Sequence, residues 1–298
     1  MVPMPTSTDS TRAATSVQDA VLAATQGQRS AAPNNLFTLK DTTSLVTGAA
    51  RGIGLTLAAA LLEAGSHVAC LDLLDEPSDA PEWLAFRARA KELGLNASYI
   101  QADITDSGNI NAVVDHAART AADAARPLRT VVHAAAVQKQ GPLIDFDAES
   151  FDWVMRVNVT GSFIVTQAAA RAMRAHSRGG SIVLIASMSG QVANRGLYGA
   201  AYNSSKAAVH QLCRSAAVEL AEHGIRVNTI SPGYVATDMT RQLLAVETTL
   251  LDRWTDDNPM RRIGEPSEFK GAAVFLASEA SSFMTGADMR IDGGHCAW

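Results

Sequence analysis

The sequence predicts an α/β fold, namely a single doubly wound domain around a seven-stranded parallel sheet. From Thr38 onward, short runs rich in β-branched residues alternate with longer helical patterns, which is typical of a parallel sheet covered by helices on both faces. Apolar residues make up 47% of the 298 residues and charged residues 18%, which is enough apolar material for a large core. Length alone permits one large domain or two small ones. The alternation of seven strands with helices predicts a single domain.

The residues before this domain have a different composition. Residues 1–37 are rich in Ser, Thr, Ala, Pro and Gln, offer little to bury, and are predicted to form a flexible tail. Within this tail, a weak amphipathic helix over Thr15–Gln26 is the alternative. Two arginines leave organelle targeting open, whereas two aspartates argue against it. The folded domain is therefore predicted for residues 38–298.

Seven strands are predicted from short, mostly β-branched or apolar runs. In chain order they are Ser44–Thr47, His67–Asp72, Ala97–Gln101, Thr130–Ala134, Gly180–Ala186, Arg226–Ser231 and Asp288–Ile291. Helical patterns lie between them, so the strands are expected to be parallel and joined by crossover helices.

Three predicted helices bear on function. Leu55–Ala64 follows the first strand, whereas Phe151–His176 and Tyr202–His223 are long and carry apolar faces with small residues that permit close packing. These two long faces predict a homo-oligomer, either a dimer or a tetramer. Packing against the chain's own sheet is the alternative use of the same faces.

Charge and cysteine usage narrow the choice of partners and compartment. There are 25 basic and 30 acidic residues, which gives a net charge of −5, and no basic cluster that would bind nucleic acid. Three scattered cysteines fit a reducing compartment, and no apolar run of about 18 residues predicts a membrane span. A cytoplasmic protein is therefore expected. Neither His-Glu-x-x-His nor paired Cys-x-x-Cys occurs, so no metal site is predicted.

A glycine-rich loop lies between the first predicted strand and the first helix, in the segment VTGAARGIG. Gly48, Gly52 and Gly54 allow a tight turn and let the backbone approach a pyrophosphate. The N-terminal N–H groups of the following helix attract anions. Because the loop stands after a strand and before a helix, it predicts a dinucleotide site in a Rossmann-type domain.

Acidic residues end the second and third predicted strands. A carboxylate at Asp72 accepts hydrogen bonds from both adenosine-ribose hydroxyls and repels a 2′-phosphate, which favours NAD. Arg51 in the loop is a basic group within reach of a 2′-phosphate, so NADP is the alternative; a local cap or salt bridge is the structural explanation of Arg51. Asp103 is placed to meet the adenine ring, while Thr105 or Asp106 is a candidate helix N-cap.

A tyrosine and a lysine four residues apart indicate proton-transfer chemistry. Tyr202 and Lys206 in YNSSK share one helix face, and a neighbouring cation favours the phenolate. Ser187 follows the fifth predicted strand, where its hydroxyl is able to orient a carbonyl or alcohol oxygen against the phenol. Ser189 is a competing choice. The structural alternative is a half-buried tyrosine beside a solvated lysine.

Taken together, VTGAARGIG, Asn158 in VNVTGSF, the Ser187 segment, YNSSK and SPGYVATDM resemble the short-chain dehydrogenase/reductase family over about residues 38–298. The resemblance implies reversible hydride transfer between a nicotinamide cofactor and an alcohol or ketone. It also implies that Tyr202 is the acid/base and that Lys206 lowers its pKa and holds the nicotinamide ribose. Ser187 then positions the substrate oxygen and Asn158 supports a water relay; a purely structural role is the alternative for Asn158.

The resemblance also implies a set of cofactor-binding residues. These are Gly48, Arg51, Gly52, Ile53, Gly54, Asp72, Asp103, Ile104, Ala134, Asn158, Tyr202, Lys206, Pro232, Gly233, Val235 and Thr237. One segment departs from the family, because HAAA at residues 133–136 replaces the usual Asn-Asn-Ala-Gly. The small residues keep room for the adenosine ribose, and His133 is expected to satisfy local backbone.

The segment SMSG, Asn194, the YNSSK segment and the ending DGG with Trp298 are similar to the polyol and ketose dehydrogenase branch of the family. The predicted substrate-binding residues are Ser187, Gln191, Asn194 and Tyr202, whose polar groups suit a chain of hydroxyls. A solvent-facing polar loop is the structural alternative.

We therefore expect NAD-linked interconversion of a sugar alcohol and a ketose, such as arabinitol and ribulose. A reductase of a bulky secondary-metabolite or steroid ketone would use the same catalytic residues and is the first rival. A non-catalytic, dinucleotide-sensing interaction protein is the second.

Overall fold

The structure is a computed structural model that describes residues 33–177, 179–237, 240–241, 244 and 249–298. The chain divides into two units, Met1–Leu36 and Phe37–Trp298. In the first unit the described residues are Pro33–Leu36, which form one helical turn. The prediction of a tail over residues 1–37, with its alternative helix, therefore falls almost entirely outside the described residues.

Seven parallel strands form one sheet in the unit Phe37–Trp298, which confirms the Rossmann-type fold class. They are β1 (Thr43–Thr47), β2 (His67–Asp72), β3 (Ala97–Gln101), β4 (Leu128–His133), β5 (Gly180–Ile185), β6 (Ile225–Pro232) and β7 (Asp288–Ile291). Their order across the sheet is β3-β2-β1-β4-β5-β6-β7.

Helices cover both faces of this sheet. They are α1 (Gly52–Glu63), α2 (Pro81–Glu92), α3 (Ser107–Asp123), α4 (Ala148–Met155), α5 (Gly161–His176), α6 (Ala200–Leu220), α7 (Thr249–Asp256) and α8 (Lys270–Ala277). One apolar cluster joins the sheet to α3, α5 and α6, and a second joins the opposite face to α1, α2 and α8. Successive β1 residues Leu45 and Val46 belong to different clusters, as the alternation of side chains along a strand requires.

The strand order reverses between β1 and β4. The chain runs outward from β1 through β2 to β3, then crosses back to β4 on the other side of β1. Thr47 and His133 are register partners at the carboxyl ends of these two strands. Ligands of open parallel sheets bind in the crevice outside the carboxyl ends of the strands at such a reversal.

The sequence-based boundaries differ from the structure mainly in one long helix. Each predicted strand agrees with an observed strand to within two residues at either end. The helix predicted over Phe151–His176 starts earlier and is interrupted by a π-helical turn, Arg156–Thr160. The turn contains Asn158, whose side chain is held by a distant loop as described below, so tertiary contacts rather than local pattern explain the interruption.

Within the described part of the chain, no helix has both the length and the apolar character to cross a membrane. The same residues contain no group of three or more His, Cys, Asp or Glu side chains arranged to hold a metal ion.

Candidate active site

The carboxyl edge of the sheet borders a cleft of about 940 Å³. Every predicted cofactor-binding residue except Asn158 lines it: Gly48, Arg51, Gly52, Ile53, Gly54, Asp72, Asp103, Ile104, Ala134, Tyr202, Lys206, Pro232, Gly233, Val235 and Thr237. Ser187 and Asn194 line it as well. The fold thus brings residues from seven separate chain segments to one place.

The glycine loop packs closely against its neighbours, and its glycines present backbone without side chains to the cleft. A Cβ on Gly48 would lie 2.6 Å from the Ala135 nitrogen, and one on Gly54 would lie 2.0 Å from the Gly48 oxygen. Gly52 has a φ of +60°, and a Cβ there would meet nothing within 4 Å. Among the described residues, no side chain caps the start of α1 at Arg51. The backbone N–H groups at the start of α1 are therefore able to donate hydrogen bonds to the pyrophosphate of a dinucleotide.

Two carboxylates lie on the same side of the cleft. Asp72 accepts hydrogen bonds from the Ala50 backbone N–H at 3.0 Å and the Leu74 backbone N–H at 3.2 Å. These bonds tie the end of β2 to the glycine loop. Asp103 accepts from both the backbone N–H and the hydroxyl of Thr105 at 2.8 Å, so it orders the turn after β3.

Tyr202 and Ser187 meet at the other end of the cleft. Tyr202 stands in the first turn of α6, and Ser187, two residues after the end of β5, has extended backbone. Burial raises the pKa of Tyr202, while a hydrogen bond with Ser187 opposes this rise. Gly190 keeps the two segments close, because a Cβ on it would lie 2.7 Å from the Lys206 carbonyl carbon.

Lys206 is buried one turn after Tyr202. Its Nζ donates to the Ile185 carbonyl at 2.7 Å and lies 5.6 Å from the centre of the Tyr202 ring. Burial lowers the pKa of Lys206 to about 8. The pKa of Tyr202 is raised overall, whereas the Tyr–Lys spacing predicted that it would be lowered. Desolvation of the phenolate outweighs other effects here, and the lysine ammonium is directed to a carbonyl.

Asn158 lies behind the cleft rather than on its wall. Its side-chain amide exchanges two 2.8 Å hydrogen bonds with the Val137 backbone and donates to the Ser205 hydroxyl at 3.0 Å. That hydroxyl donates in turn to the Tyr202 carbonyl at 2.7 Å. Asn158 thereby joins the loop after β4 to the helix that carries Tyr202, which is a positioning role.

His133, at the departure from the family pattern, is buried at the end of β4. Its Nδ1 shares a 2.7 Å hydrogen bond with the Thr47 hydroxyl, and its Nε2 has no partner among the described residues. Burial, with a smaller effect of Lys206, lowers the pKa of His133 to about 3. The imidazole is therefore neutral at ordinary pH and links β1 to β4 through a side chain.

His133→Asn is expected to make the fold less sensitive to acid. A histidine that is neutral when folded and titrates near 6.5 when unfolded contributes stability above that pH, which is lost as the pH falls toward 3. The loss approaches about 1.4 kcal/mol per pH unit well below pH 6.5. Urea unfolding from pH 7 to pH 4 should thus show a steeper decline for wild type than for the variant. His223→Asn, at a partly exposed site, serves as control, and parallel curves for wild type and His133→Asn would contradict the prediction.

The two predicted polar substrate residues have different positions. Asn194 is buried and lines the cleft, with its Nδ2 donating to the Ser189 hydroxyl at 2.8 Å. Gln191 is not part of the described lining. Its amide donates to Asp288 at 2.5 Å and accepts from Arg290 at 2.9 Å, so it ties the loop after Ser187 to β7.

Sequence reasoning overlooked several residues of the cleft. Leu73 and Leu74 border the end that carries Asp72, while Trp153, Tyr234 and Trp254 border the end that carries Tyr202. Residues 238–239 of the SPGYVATDM motif lie outside the described residues. Trp153 and Trp254 lie on short helices, and the sequence pattern of such a helix does not indicate which aromatic residue lines a cleft.

A cleft of this kind meets the requirements of a dinucleotide-dependent oxidoreductase of alcohols and carbonyls. A place for the dinucleotide adjoins a tyrosine that is able to exchange a proton with an oxygen atom. The fold and the cleft together define that class of protein.

Comparison with known proteins gives the family. A family model described as enoyl-(acyl carrier protein) reductase matches residues 48–295. A protein of Aspergillus versicolor named short chain dehydrogenases/reductase notP′ is 43% identical, covering 92% of this chain and 93% of that protein. The chain belongs to the short-chain dehydrogenase/reductase family, whose members use a nicotinamide cofactor.

Other relatives are named for sugar alcohols. Galactitol 2-dehydrogenase (L-tagatose-forming) of Cereibacter sphaeroides is 39% identical and covers 88% of this chain and 98% of its own. D-arabinitol 2-dehydrogenase (ribulose-forming) of Candida tropicalis is 33% identical, with 88% and 95% covered.

Two solved structures are similar over nearly their whole length. A gluconate 5-dehydrogenase from Burkholderia cenocepacia in complex with NADP and tartrate has a TM-score of 0.80 and 31% identity, covering 90% of this chain and 100% of that one. An NADPH-dependent 3-quinuclidinone reductase from Rhodotorula rubra has a TM-score of 0.81 and 30% identity, covering 91% and 97%.

Proposed function

We propose that this protein interconverts a sugar alcohol and a ketose with NAD as the preferred cofactor. The observation that carries the proposal is that Ser187 and Tyr202, with Lys206 one turn further, line the same cleft as the dinucleotide loop. Hydride transfer to or from the alcohol carbon would be the chemistry that a nicotinamide cofactor bound in this cleft supplies.

Each catalytic residue then has a distinct task. The Ser187 hydroxyl orients the reacting oxygen, and the Tyr202 hydroxyl gives a proton to it or takes one from it. Lys206 holds the nicotinamide ribose and keeps a positive charge near Tyr202 when protonated. Asn158 holds the helix of Tyr202 in place through Ser205.

A sugar alcohol is favoured as substrate because polar side chains stand among the aromatic ones at the reacting end of the cleft. Asn194, Ser189 and Gln138 line it, and each offers a hydrogen bond that an apolar ketone would leave unused. Relatives named for galactitol and D-arabinitol support this class. We propose arabinitol and ribulose as a representative pair.

A substrate panel tests the proposal directly. The full chain would be assayed with galactitol, D-arabinitol, xylitol and D-mannitol, and with bulky cyclic and steroid ketones, following the absorbance of the reduced cofactor. Turnover of at least one polyol well above that of every bulky ketone supports the proposal. The reverse preference supports the ketone reductase, in line with the structural neighbour named for 3-quinuclidinone. Cofactor binding without any turnover would support the dinucleotide-sensing protein.

Asp72→Ser is expected to lower the preference for NAD over NADP by about 10- to 100-fold. Removing the carboxylate removes its repulsion of a 2′-phosphate and its bonds to the ribose hydroxyls. The ratio of kcat/KM values for the two cofactors measures this effect. Arg51→Ala is the matched test on the facing loop and should weaken NADP selectively. A wild-type enzyme that already prefers NADP would contradict the assignment of Asp72.

We also propose a cytoplasmic homo-oligomer, most simply a tetramer. Phe163 on α5 is 51% exposed and Val218 on α6 is 81% exposed, which leaves apolar surface on the two long helices whose faces predict self-association. Light scattering on the purified chain measures the assembly.

A further inference from the structure

Asp288, the first residue of β7, is the centre of a hydrogen-bonded cluster beside the catalytic segments. Its Oδ1 accepts from the Thr229 and Ser231 hydroxyls, each at 2.6 Å, and its Oδ2 accepts from the Gln191 amide at 2.5 Å. Only 22% of the Asp288 side chain is exposed. Three accepted hydrogen bonds hold this carboxylate in one orientation.

His210 joins the cluster to the helix that carries the catalytic residues. It follows Tyr202 by eight residues and Lys206 by four, so the three share one face of α6. The Ser231 hydroxyl gives its single proton to Asp288 and therefore accepts a hydrogen bond from the Nε2–H of buried His210, at 2.8 Å. Helix α6 is thus bonded to the last two strands of the sheet.

Gln191 joins the same cluster to the loop of Ser187. The turn Met188–Gly190 lies between these two residues, and the Gln191 backbone N–H donates to the Met188 carbonyl at 2.8 Å. The Gln191 side-chain oxygen accepts from Arg290 at 2.9 Å, so both ends of its amide are bonded to β7. The Ser187 loop and the Tyr202 helix are therefore held by one cluster.

We propose that Gln191 is a positioning residue whose bond to Asp288 sets the place of Ser187 relative to Tyr202. A hydroxyl that orients a reacting oxygen has to be held accurately, since a displacement of about 1 Å costs up to about 100-fold in rate. This inference rests on the proposed function, in which Ser187 orients the reacting oxygen. It applies to a polyol and to a bulky ketone alike.

Gln191→Glu tests the proposal, because it sets a second carboxylate against Asp288 in place of the amide donor. We expect kcat for the panel compound that wild type turns over fastest to fall about 10-fold. The dissociation constant of NADH, measured by fluorescence titration, should stay within about threefold of wild type.

The double variant Gln191→Glu/Asp288→Asn should restore the rate. The new amide at residue 288 still accepts from the two hydroxyls through its oxygen, and its nitrogen donates to the new carboxylate at residue 191. We expect kcat to return to within about threefold of wild type. Gln211→Glu is the matched control, since Gln211 is an exposed glutamine of α6 that also bonds to an arginine, Arg214.

The Ser187→Ala background separates positioning from a purely structural role. If Gln191 acts through Ser187, adding Gln191→Glu to Ser187→Ala should change the residual single-turnover rate less than about threefold. A further loss of about 10-fold in that background would assign Gln191 a structural role only and overturn the inference.

Other outcomes would overturn it as well. These are an unchanged kcat in Gln191→Glu, a double variant as slow as Gln191→Glu, and an equal loss in Gln211→Glu. Full activity in Ser187→Ala, or a wild-type enzyme that turns over no compound of the panel, overturns the proposed function and this inference with it. A loss in Ser187→Ala without a loss in Gln191→Glu overturns this inference alone.

Discussion

Tyr202→Phe is expected to lower turnover by about 10²- to 10⁴-fold and to leave cofactor affinity within about threefold of wild type. The substitution removes the phenol hydroxyl and keeps the ring, whose centre lies 5.6 Å from the Lys206 Nζ. No other described residue with a hydroxyl in the first turn of α6 lines the cleft. Single-turnover kinetics and cofactor fluorescence titration measure the two quantities.

The pH dependence of the wild-type enzyme gives this prediction a second readout. Burial holds the pKa of Tyr202 above its ordinary value, so the phenol is protonated at neutral pH and ready to protonate a ketone. Ketone reduction should therefore fall as the pH rises into the alkaline range, and alcohol oxidation should rise. The residual activity of Tyr202→Phe should lack this dependence.

Tyr198→Phe is the matched control for Tyr202→Phe. Tyr198 lies in the same loop-to-helix region, is 63% exposed and is not part of the described cleft lining, so its hydroxyl should be dispensable. Full turnover in Tyr202→Phe would contradict the acid/base assignment. An equal loss in both variants would point to disturbed loop packing instead.

The strands and most of the cofactor end were predictable from the sequence for a physical reason. Parallel strands that are buried on both faces need continuous apolar runs, and a loop that meets a pyrophosphate needs glycine, so both leave local signals. The reversal of strand order between β1 and β4 then brings distant segments to one edge.

The features of the site that the sequence does not reveal depend on contacts between distant segments. Gln191 was predicted to bind substrate, but bonds to Asp288 and Arg290, almost a hundred residues away, direct it to β7. The π-helical turn around Asn158 depends on the Val137 backbone. The place of Trp254 depends on its stacking with Tyr234. Local periodicity does not record such pairings.

Replacing two glycines of the cofactor loop by alanine is expected to have different effects on stability and on cofactor affinity. Both have positive φ, +68° for Gly48 and +60° for Gly52, so each alanine carries about 1–2 kcal/mol of backbone strain. A Cβ on Gly48 would also lie within 2.8 Å of the backbone at Ala134 and Ala135, whereas one on Gly52 would point into open space. The overpacking adds about 1–3 kcal/mol for Gly48→Ala alone.

Unfolding of the cofactor-free protein in urea should therefore show a loss of about 2–5 kcal/mol for Gly48→Ala and about 1–2 kcal/mol for Gly52→Ala. Affinity for NADH should respond differently, because the open space beside Gly52 faces the cleft where the pyrophosphate would approach. Gly52→Ala should then raise the NADH dissociation constant by about 10- to 100-fold while its fold remains nearly intact. Equal stability losses in the two variants would contradict the packing argument at Gly48. Unchanged NADH affinity in Gly52→Ala would contradict the assignment of the pyrophosphate site to this loop.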